Sequence, residues 1–298
     1  MDKGSVGVIL NPTSAGGKTI RLVPAIVEEF GRCGRKHDIY VTSRAGETPQ
    51  VARQMLDQGH ETLVAVGGDG TISEIASVLI ERHSPCALGI IPSGSGSDFV
   101  RTLELPKEIR QAIRIVLDRN TQASDAGKLT FDDGSCSYFV NVAGLGFDAV
   151  VAEFALTSRM PGSTMPYLVS AVRAMRVYRN MSMRIESAER TFEGRAASVL
   201  FANAKYFAGG MQIAPMASLT DGKLDVAILG DLTSFEMLRA VPSVFRGKHV
   251  NHPKFTHFTT TSLRVTTERP ARVQADGELL GATPVTIDVL PGALRICR

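Results

Sequence analysis

The chain of 298 residues contains no tryptophan, which removes the commonest aromatic anchor at a membrane–water interface. It has no run of about 18 apolar residues, so no helix is expected to span a bilayer. Its four cysteines, Cys33, Cys86, Cys136 and Cys297, lack the paired spacing of zinc or dithiol chemistry. Cys33 and Cys86 fall in apolar patterns and read as small core residues, which fits a reducing compartment. Neither sign of charge is in large excess. Against 30 acidic residues stand 33 Lys and Arg, and the net charge of +3 does not announce a nucleic-acid partner. His249, His252 and His257 have no Cys or carboxylate cluster beside them, so zinc is set aside. No internal repeat or low-complexity stretch occurs. Met1-Asp2-Lys3-Gly4 leads directly into a strand pattern, so a signal peptide is not expected. A hydrophobic content of 44% with 21% charged residues then indicates a soluble globular protein, long enough for one large or two ordinary domains.

What the chain does have is a glycine-rich stretch, Gly67-Gly68-Asp69-Gly70-Thr71, between an apolar strand pattern (Leu63 to Val66) and a helical one (Ile72, Ile75, Ala76, Leu79). Glu74 follows Thr71 by three residues, the spacing of a capping box. A strand, a glycine loop and a helix N-terminus together make a phosphate site, because unpaired N–H groups and the helix dipole favour negative charge. Asp69 among phosphates would need a cation or a sugar hydroxyl. The alternative is a tight turn with a solvent-facing Asp.

Other elements surround this stretch. Val6 to Leu10 is an apolar strand ended by Asn11-Pro12, and Ser14-Ala15-Gly16-Gly17-Lys18 precedes a helix from about Ile20 to Cys33. The Gly-Lys-Ser/Thr ending of a Walker A loop is missing. Strands at Ile39 to Thr42 and Ala87 to Ile91, with a helix from Thr48-Pro49 to Gln58, complete a βαβαβαβ order and predict a doubly wound parallel sheet. Ligands in such sheets sit beyond the strand C-termini, where Asn11, Asp69 and the loop Pro92-Ser93-Gly94-Ser95-Gly96-Ser97-Asp98-Phe99 all fall. Asp98 is a second candidate for a metal-linked carboxylate. After a helix at Pro106 to Leu117 the pattern changes to short alternating segments: Tyr138 to Val142, Met183 to Glu186, Ala197 to Ala202, Leu224 to Leu229, Ser262 to Thr267 and Ala271 to Ala275. Helices interrupt them at about Ala149 to Thr157, Pro166 to Tyr178 and Ser234 to Arg246. The expected fold is thus α/β plus β: residues 1–125 a nucleotide-binding domain, 126–282 a mainly antiparallel β-sandwich, and 283–298 a segment returning to the first domain.

Gly-Gly-Asp-Gly-Thr resembles the signature of the diacylglycerol kinase, sphingosine kinase and NAD kinase superfamily. Asn11-Pro12 with Ser14 resembles the segment that opens bacterial diacylglycerol kinase-like lipid kinases. Pro92, Gly94, Asp98, Phe99 and Arg101 match that family's next loop, with Ser95, Ser97 and Val100 in place of Thr, Asn and Ala. Asn141 to Asp148, Asn203 to Gly210, Ala214 to Asp225 and Asp276-Gly277-Glu278 follow in the family's order. The resemblance implies ATP on Asn11, Ser14, Lys18, Gly67, Gly68, Asp69, Gly70, Thr71, Ser93, Gly94, Ser95 and Asp98. It implies Asp276 as general base toward a lipid hydroxyl, with Glu278 beside it. A magnesium would sit at Asp221 with the carbonyls of Ser218 and Lys223, linked through Asp69, Asp98 and Asp125 to the reacting groups. From the residues alone, Asp276-Gly277 and Asp221-Gly222 could each be a hairpin turn, and Lys18 a solvated lysine.

The expected activity is ATP-dependent phosphorylation of a lipid hydroxyl, with diacylglycerol first and other lipid alcohols as alternatives. NAD kinase and a regulator without turnover stand behind these. The expected protein is cytosolic, meets a membrane surface reversibly and binds no nucleic acid; a homodimer is left open. Arg173, Arg176 and Arg179 suggest a face for anionic headgroups or an ordinary solvated face.

Overall fold

The computed structural model describes residues 5–34, 36–44, 46–94, 96–157 and 164–298. By its internal packing the chain divides into Met1–Ser124 with Gly292–Arg298, and Asp125–Pro291. The expected boundaries, 125/126 and 282/283, differ mainly in the second. Residues 283–291 complete a strand of the second unit before the chain leaves it.

The first unit contains β1 (Val6–Leu10), α1 (Ser14–Gly17), α2 (Val23–Arg32), β2 (His37–Val41), α3 (Thr48–Asp57), β3 (Thr62–Gly67), α4 (Asp69–Glu81), β4 (Ala87–Pro92), α5 (Asp98–Thr102) and α6 (Ile109–Asp118). Every residue of β1, β3 and β4 is buried, as strands covered on both faces require. β2 is half exposed and forms the edge. Strand order is β2-β1-β3-β4, all parallel, with Arg295 and Ile296 added beside β4. On one face Val6, Val8, Leu10, Val64 and Val66 pack with Ile26 and Phe30 of α2 and Ile113 and Val116 of α6. α3 and α4 belong to the other face, where Met55 of α3 lies against Gly7. From β1 the chain goes outward to β2, and from β3 in the opposite direction to β4. The order therefore reverses between β1 and β3, and a crevice opens beyond their C-terminal ends.

Local chemistry moves several expected boundaries. α4 starts at Asp69 with Gly68 as its N-cap, and Thr71 is a buried residue inside the first turn, so the expected capping box is absent. α6 begins at Ile109 rather than Pro106 because the Glu108 carboxylate accepts the N–H groups of Arg110 and Gln111. The expected Ile20–Cys33 helix is a 3₁₀ turn at Thr19–Leu22 followed by α2, and Cys33 is exposed beyond its end, not a core residue.

The second unit holds β5 (Thr121–Phe131), β6 (Cys136–Phe139), β7 (Val142–Gly146), α7 (Phe147–Leu156), α8 (Thr164–Val177), β8 (Met181–Ser187), β9 (Thr191–Ala202), β10 (Leu224–Gly230), α9 (Ser234–Val244), β11 (Phe255–Thr260), β12 (Ser262–Thr267), β13 (Arg272–Ala275), β14 (Glu278–Ala282) and β15 (Val285–Cys297). β5 and β15 each begin in one unit and end in the other. The long strand β9 is the branch point. Ala196 pairs with Met181 of β8 on one side and Gly230 of β10 on the other, and further along β7 takes the side that β8 leaves. One edge of β9 thus serves two partners in succession, and the antiparallel strands diverge into the layers of a sandwich. Inward residues of both layers make one core, including Phe139, Leu145, Ile185, Phe201, Val226, Val265, Val273 and Ile287.

The strand expected at Tyr138 to Val142 is broken: β6 stops at Phe139 and β7 starts at Val142. Phe139 is fully buried, and its ring lies across Gly127 on the neighbouring strand. Phe139→Ala should therefore lower unfolding free energy by about 3–5 kcal/mol in urea titrations. A loss under about 1 kcal/mol would contradict this view of the core.

Candidate active site

At the crevice of the first unit, Asn11 follows β1 and its N–H donates to the Val66 carbonyl (3.1 Å). Its side-chain carbonyl accepts from the Thr13 N–H (3.0 Å) and hydroxyl (2.7 Å), while its amide donates to the Thr71 hydroxyl (3.4 Å). The buried Thr19 hydroxyl lies 3.0 Å from both the Ser14 carbonyl and the Ser93 hydroxyl. Ser93 and Gly94 both donate backbone N–H groups to the Gly67 carbonyl, at 3.0 and 3.1 Å. The loops after β1, β3 and β4 are thereby laced together. A Cβ on Gly94 would lie 2.4 Å from the Gly68 Cα, so the two glycine loops meet backbone to backbone. α4 aims its N-terminus here, with the unpaired N–H groups that anions bind. Lys18 is exposed just past α1. Ser95 lies outside the described residues, and Gly70 is exposed in the first turn of α4.

Asp69 is partly exposed and binds backbone of the next loop. Its Oδ2 accepts the Asp98 N–H (3.1 Å) and its Oδ1 the Phe99 N–H (3.2 Å), so it caps the start of α5. Asp98 is buried, and Arg101 donates to its Oδ1 at 3.0 Å. Ser97, just before it, has φ of 51°, a left-handed conformation that Asn adopts more readily than Ser.

In the second unit Asp276 and Gly277 join β13 to β14 with φ of 49° and 89°, the two-residue hairpin arrangement with both residues at positive φ. The turn and the special aspartate coexist. Asp276 Oδ1 accepts the N–H groups of Asn141 (3.0 Å) and Val142 (3.1 Å), and Oδ2 that of Val140 (2.9 Å). Val140 and Asn141 are the gap between β6 and β7, and Val142 is the first residue of β7. Glu278 is exposed at the first position of β14. Asn203, fully buried, donates its side-chain amide to the carbonyls of Val140 (2.7 Å) and Asp125 (3.0 Å). The buried Asp125 accepts the Gly222 N–H at 2.7 Å, and its own N–H donates to Leu219 (2.7 Å). Asp125 and the turn containing Asp221 are therefore joined. Asp221 is exposed, with one oxygen on the Lys223 N–H (3.1 Å), and the Ser218 hydroxyl accepts the Thr220 N–H (3.3 Å).

Among the described residues no group of three His, Cys, Asp or Glu side chains is arranged to hold a metal. One carboxylate beside turn carbonyls fits a hard cation that keeps much of its water, as magnesium does. It does not fit an all-protein cage.

Several residues with structural weight carried no single-residue signal in the sequence: Thr13, Thr19, Asn203, Ser198 and Gln274. Asp148, at the end of the Asn141 to Asp148 motif, is partly exposed, and its carboxyl lies against the Gly144 backbone. Burial pushes that carboxyl up to about 6. Arg173, Arg176 and Arg179 are all exposed, and Arg179 lies two residues past the end of α8. Arg173 stacks on the Phe154 ring (4.9 Å), and Arg179 donates back to the carbonyls of Tyr178 and Arg176. No helix among the described residues is long and apolar enough to cross a membrane.

Comparison with known proteins matches the chain in two parts. Residues 5–129 match the diacylglycerol kinase catalytic domain, and residues 141–298 match the YegS C-terminal NAD kinase beta sandwich-like domain. A diacylglycerol kinase of Mycobacterium tuberculosis is 30% identical over 99% of this chain and 95% of its own. One from Staphylococcus haemolyticus is 28% identical over 97% of this chain and 87% of its own. A crystal structure of a diacylglycerol kinase from Bacillus anthracis superposes with a TM-score of 0.76 at 20% identity, covering 99% of this chain and 96% of that one; this likeness speaks to fold alone. Fold, family matches and relatives converge, and the chain belongs to the diacylglycerol kinase family of lipid kinases.

Proposed function

We propose that the protein transfers the γ-phosphate of ATP to the free hydroxyl of diacylglycerol, giving phosphatidic acid, with magnesium neutralising the phosphate oxygens. The nucleotide reading is supported by the laced loops at the reversal of strand order and by the α4 N-terminus. One observation carries the catalytic part: the Asp276 carboxylate is held by three backbone N–H groups. An attacking alcohol must give up its proton as it meets the γ-phosphorus. Because the transition state is loose, a fixed acceptor that orients the hydroxyl contributes more than a strong base would. The lipid half of the reading asks for reversible contact with a membrane surface. α8 exposes Met165, Val169 and Val172 and has no acidic residue, as an interfacial helix would.

NAD kinase is the second reading, favoured by the description of the C-terminal family match. Incubation with ATP and NAD separates the two: NADP formation would displace the lipid reading.

Three substitutions test the parts. Gly94→Ala pushes a methyl into Gly68 and should weaken ATP binding by about tenfold or more, about 1.4 kcal/mol by calorimetry; an unchanged affinity removes the nucleotide from these loops. Asp276→Asn can keep one oxygen on Asn141 and Val142 but turns an NH2 toward the Val140 N–H. Its kcat should fall by about 100-fold or more with the ATP KM nearly constant. Near-normal turnover would end the assignment. Asp221→Ala should abolish magnesium binding measured without nucleotide, and activity with it. Unchanged metal titration would leave the segment as a simple Asx turn.

A further inference from the structure

Behind the Asp276-Gly277 turn lies a chain of side chains that the proposed chemistry does not use. The Gly277 N–H donates to Gln274 Oε1 (3.1 Å), and Gln274 Nε2 donates to Asp148 Oδ2 (3.1 Å). This fixes the amide orientation, because a flipped Gln274 would set its NH2 against the Gly277 N–H. Gln274 is buried, so neither end of its amide can be replaced by bulk water. The other Asp148 oxygen, Oδ1, is hydrogen-bonded to the Ser198 hydroxyl, which also lies 3.0 Å from the Leu145 carbonyl and accepts the Asp148 N–H at 3.3 Å. A hydroxyl has one proton for two acceptors. When Ser198 donates to Leu145, the proton between Ser198 and Asp148 must come from a neutral Asp148 carboxyl.

The glycine-rich motif around Asp148 is shaped for the contact. A Cβ on Gly144, the cross-strand partner of Gln274, would lie 2.3 Å from Asp148 Oδ2. The carboxyl therefore lies on bare strand backbone. The turn also meets the helical insertion elsewhere: a Cβ on Gly277 would stand 3.0 Å from the Tyr167 hydroxyl of α8.

We propose that Asp148 is a positioning residue: through Gln274 it holds the Asp276-Gly277 turn, and so keeps the Asp276 carboxylate aimed for reaction. Only geometry passes along this chain, and no proton needs to reach the substrate. The proposal rests on the reading of Asp276 given above. An acceptor misplaced by about 1 Å can cost up to about 100-fold in rate, so a loosened turn has a kinetic signature without any lost substrate contact.

The test compares Asp148→Ala, Gln274→Met and Asp148→Asn in the full chain, with diacylglycerol in detergent micelles and ATP. Asp148→Ala and Gln274→Met, the second keeping side-chain volume, should lower kcat by about 10- to 100-fold while both KM values move less than about 3-fold. Asp148→Asn can donate to Ser198 and accept from Gln274, and should retain kcat within about 3-fold. Hydrogen exchange at the Gly277 N–H should quicken in the first two variants and not in the third. Unchanged kcat in Ala and Met variants, loss expressed in KM, or an Asn variant as slow as the Ala variant would each overturn the proposal. If the unsubstituted protein phosphorylates no lipid, the kinase reading fails by itself. Gly277 exchange then judges the link separately, and equal exchange in all four proteins would overturn it.

Discussion

Both units are tied together by aspartates that accept backbone N–H groups from loops distant in sequence. Asp69 holds the start of α5, Asp125 holds Gly222, and Asp276 holds Val140, Asn141 and Val142. Backbone N–H groups that leave a helix or a strand ladder must find a partner, and an ionised carboxylate is the strongest acceptor available to them. The gap between β6 and β7 exists because Asp276 supplies what the ladder no longer does. Carboxylates that look like metal or phosphate ligands in the sequence therefore have a first duty as clamps on loop geometry.

This duty explains the company they keep. A clamp works only if the two backbones can approach, which accounts for the contact of Gly94 on Gly68 and of Asp148 over Gly144. It also limits what the aspartates can do chemically. An Asp276 carboxylate already accepting three backbone N–H groups is, on the proposed reading, held to orient a hydroxyl rather than to remove a proton early. Phosphoryl transfer through a loose transition state asks for that kind of precision.

The parts legible in the sequence were those governed by local pattern. β1, β3 and β4 are unbroken apolar runs because both faces of the sheet are covered, and the parallel order followed from them. The meeting of the loops after β1, β3 and β4 was also legible, since all three follow C-terminal ends of neighbouring parallel strands. What stayed hidden depends on contacts remote in sequence. The break at Val140 is made by a residue 136 positions away. The strand Phe255–Thr260 is only half-buried and shows weak alternation. The arginine spacing predicts one helical face, yet α8 ends at Val177, so Arg179 lies beyond the helix and turns back to the Tyr178 carbonyl, while Arg173 stacks on Phe154. Gln274 carries no local signal, because its meaning lies in Asp148 and Gly277 on either side of it.

The proposed function assigns nucleotide contacts to the first unit and the hydroxyl acceptor to the second. The central claim is that this chain joins them in one reaction on a lipid alcohol. The most direct measurement is transfer of radiolabel from γ-labelled ATP to diacylglycerol in mixed micelles, with ceramide, sphingosine, polyprenol and phosphatidylglycerol in parallel. The account expects labelled phosphatidic acid, formed only with magnesium present. Label that stays on ATP or appears as free phosphate with every lipid would contradict it.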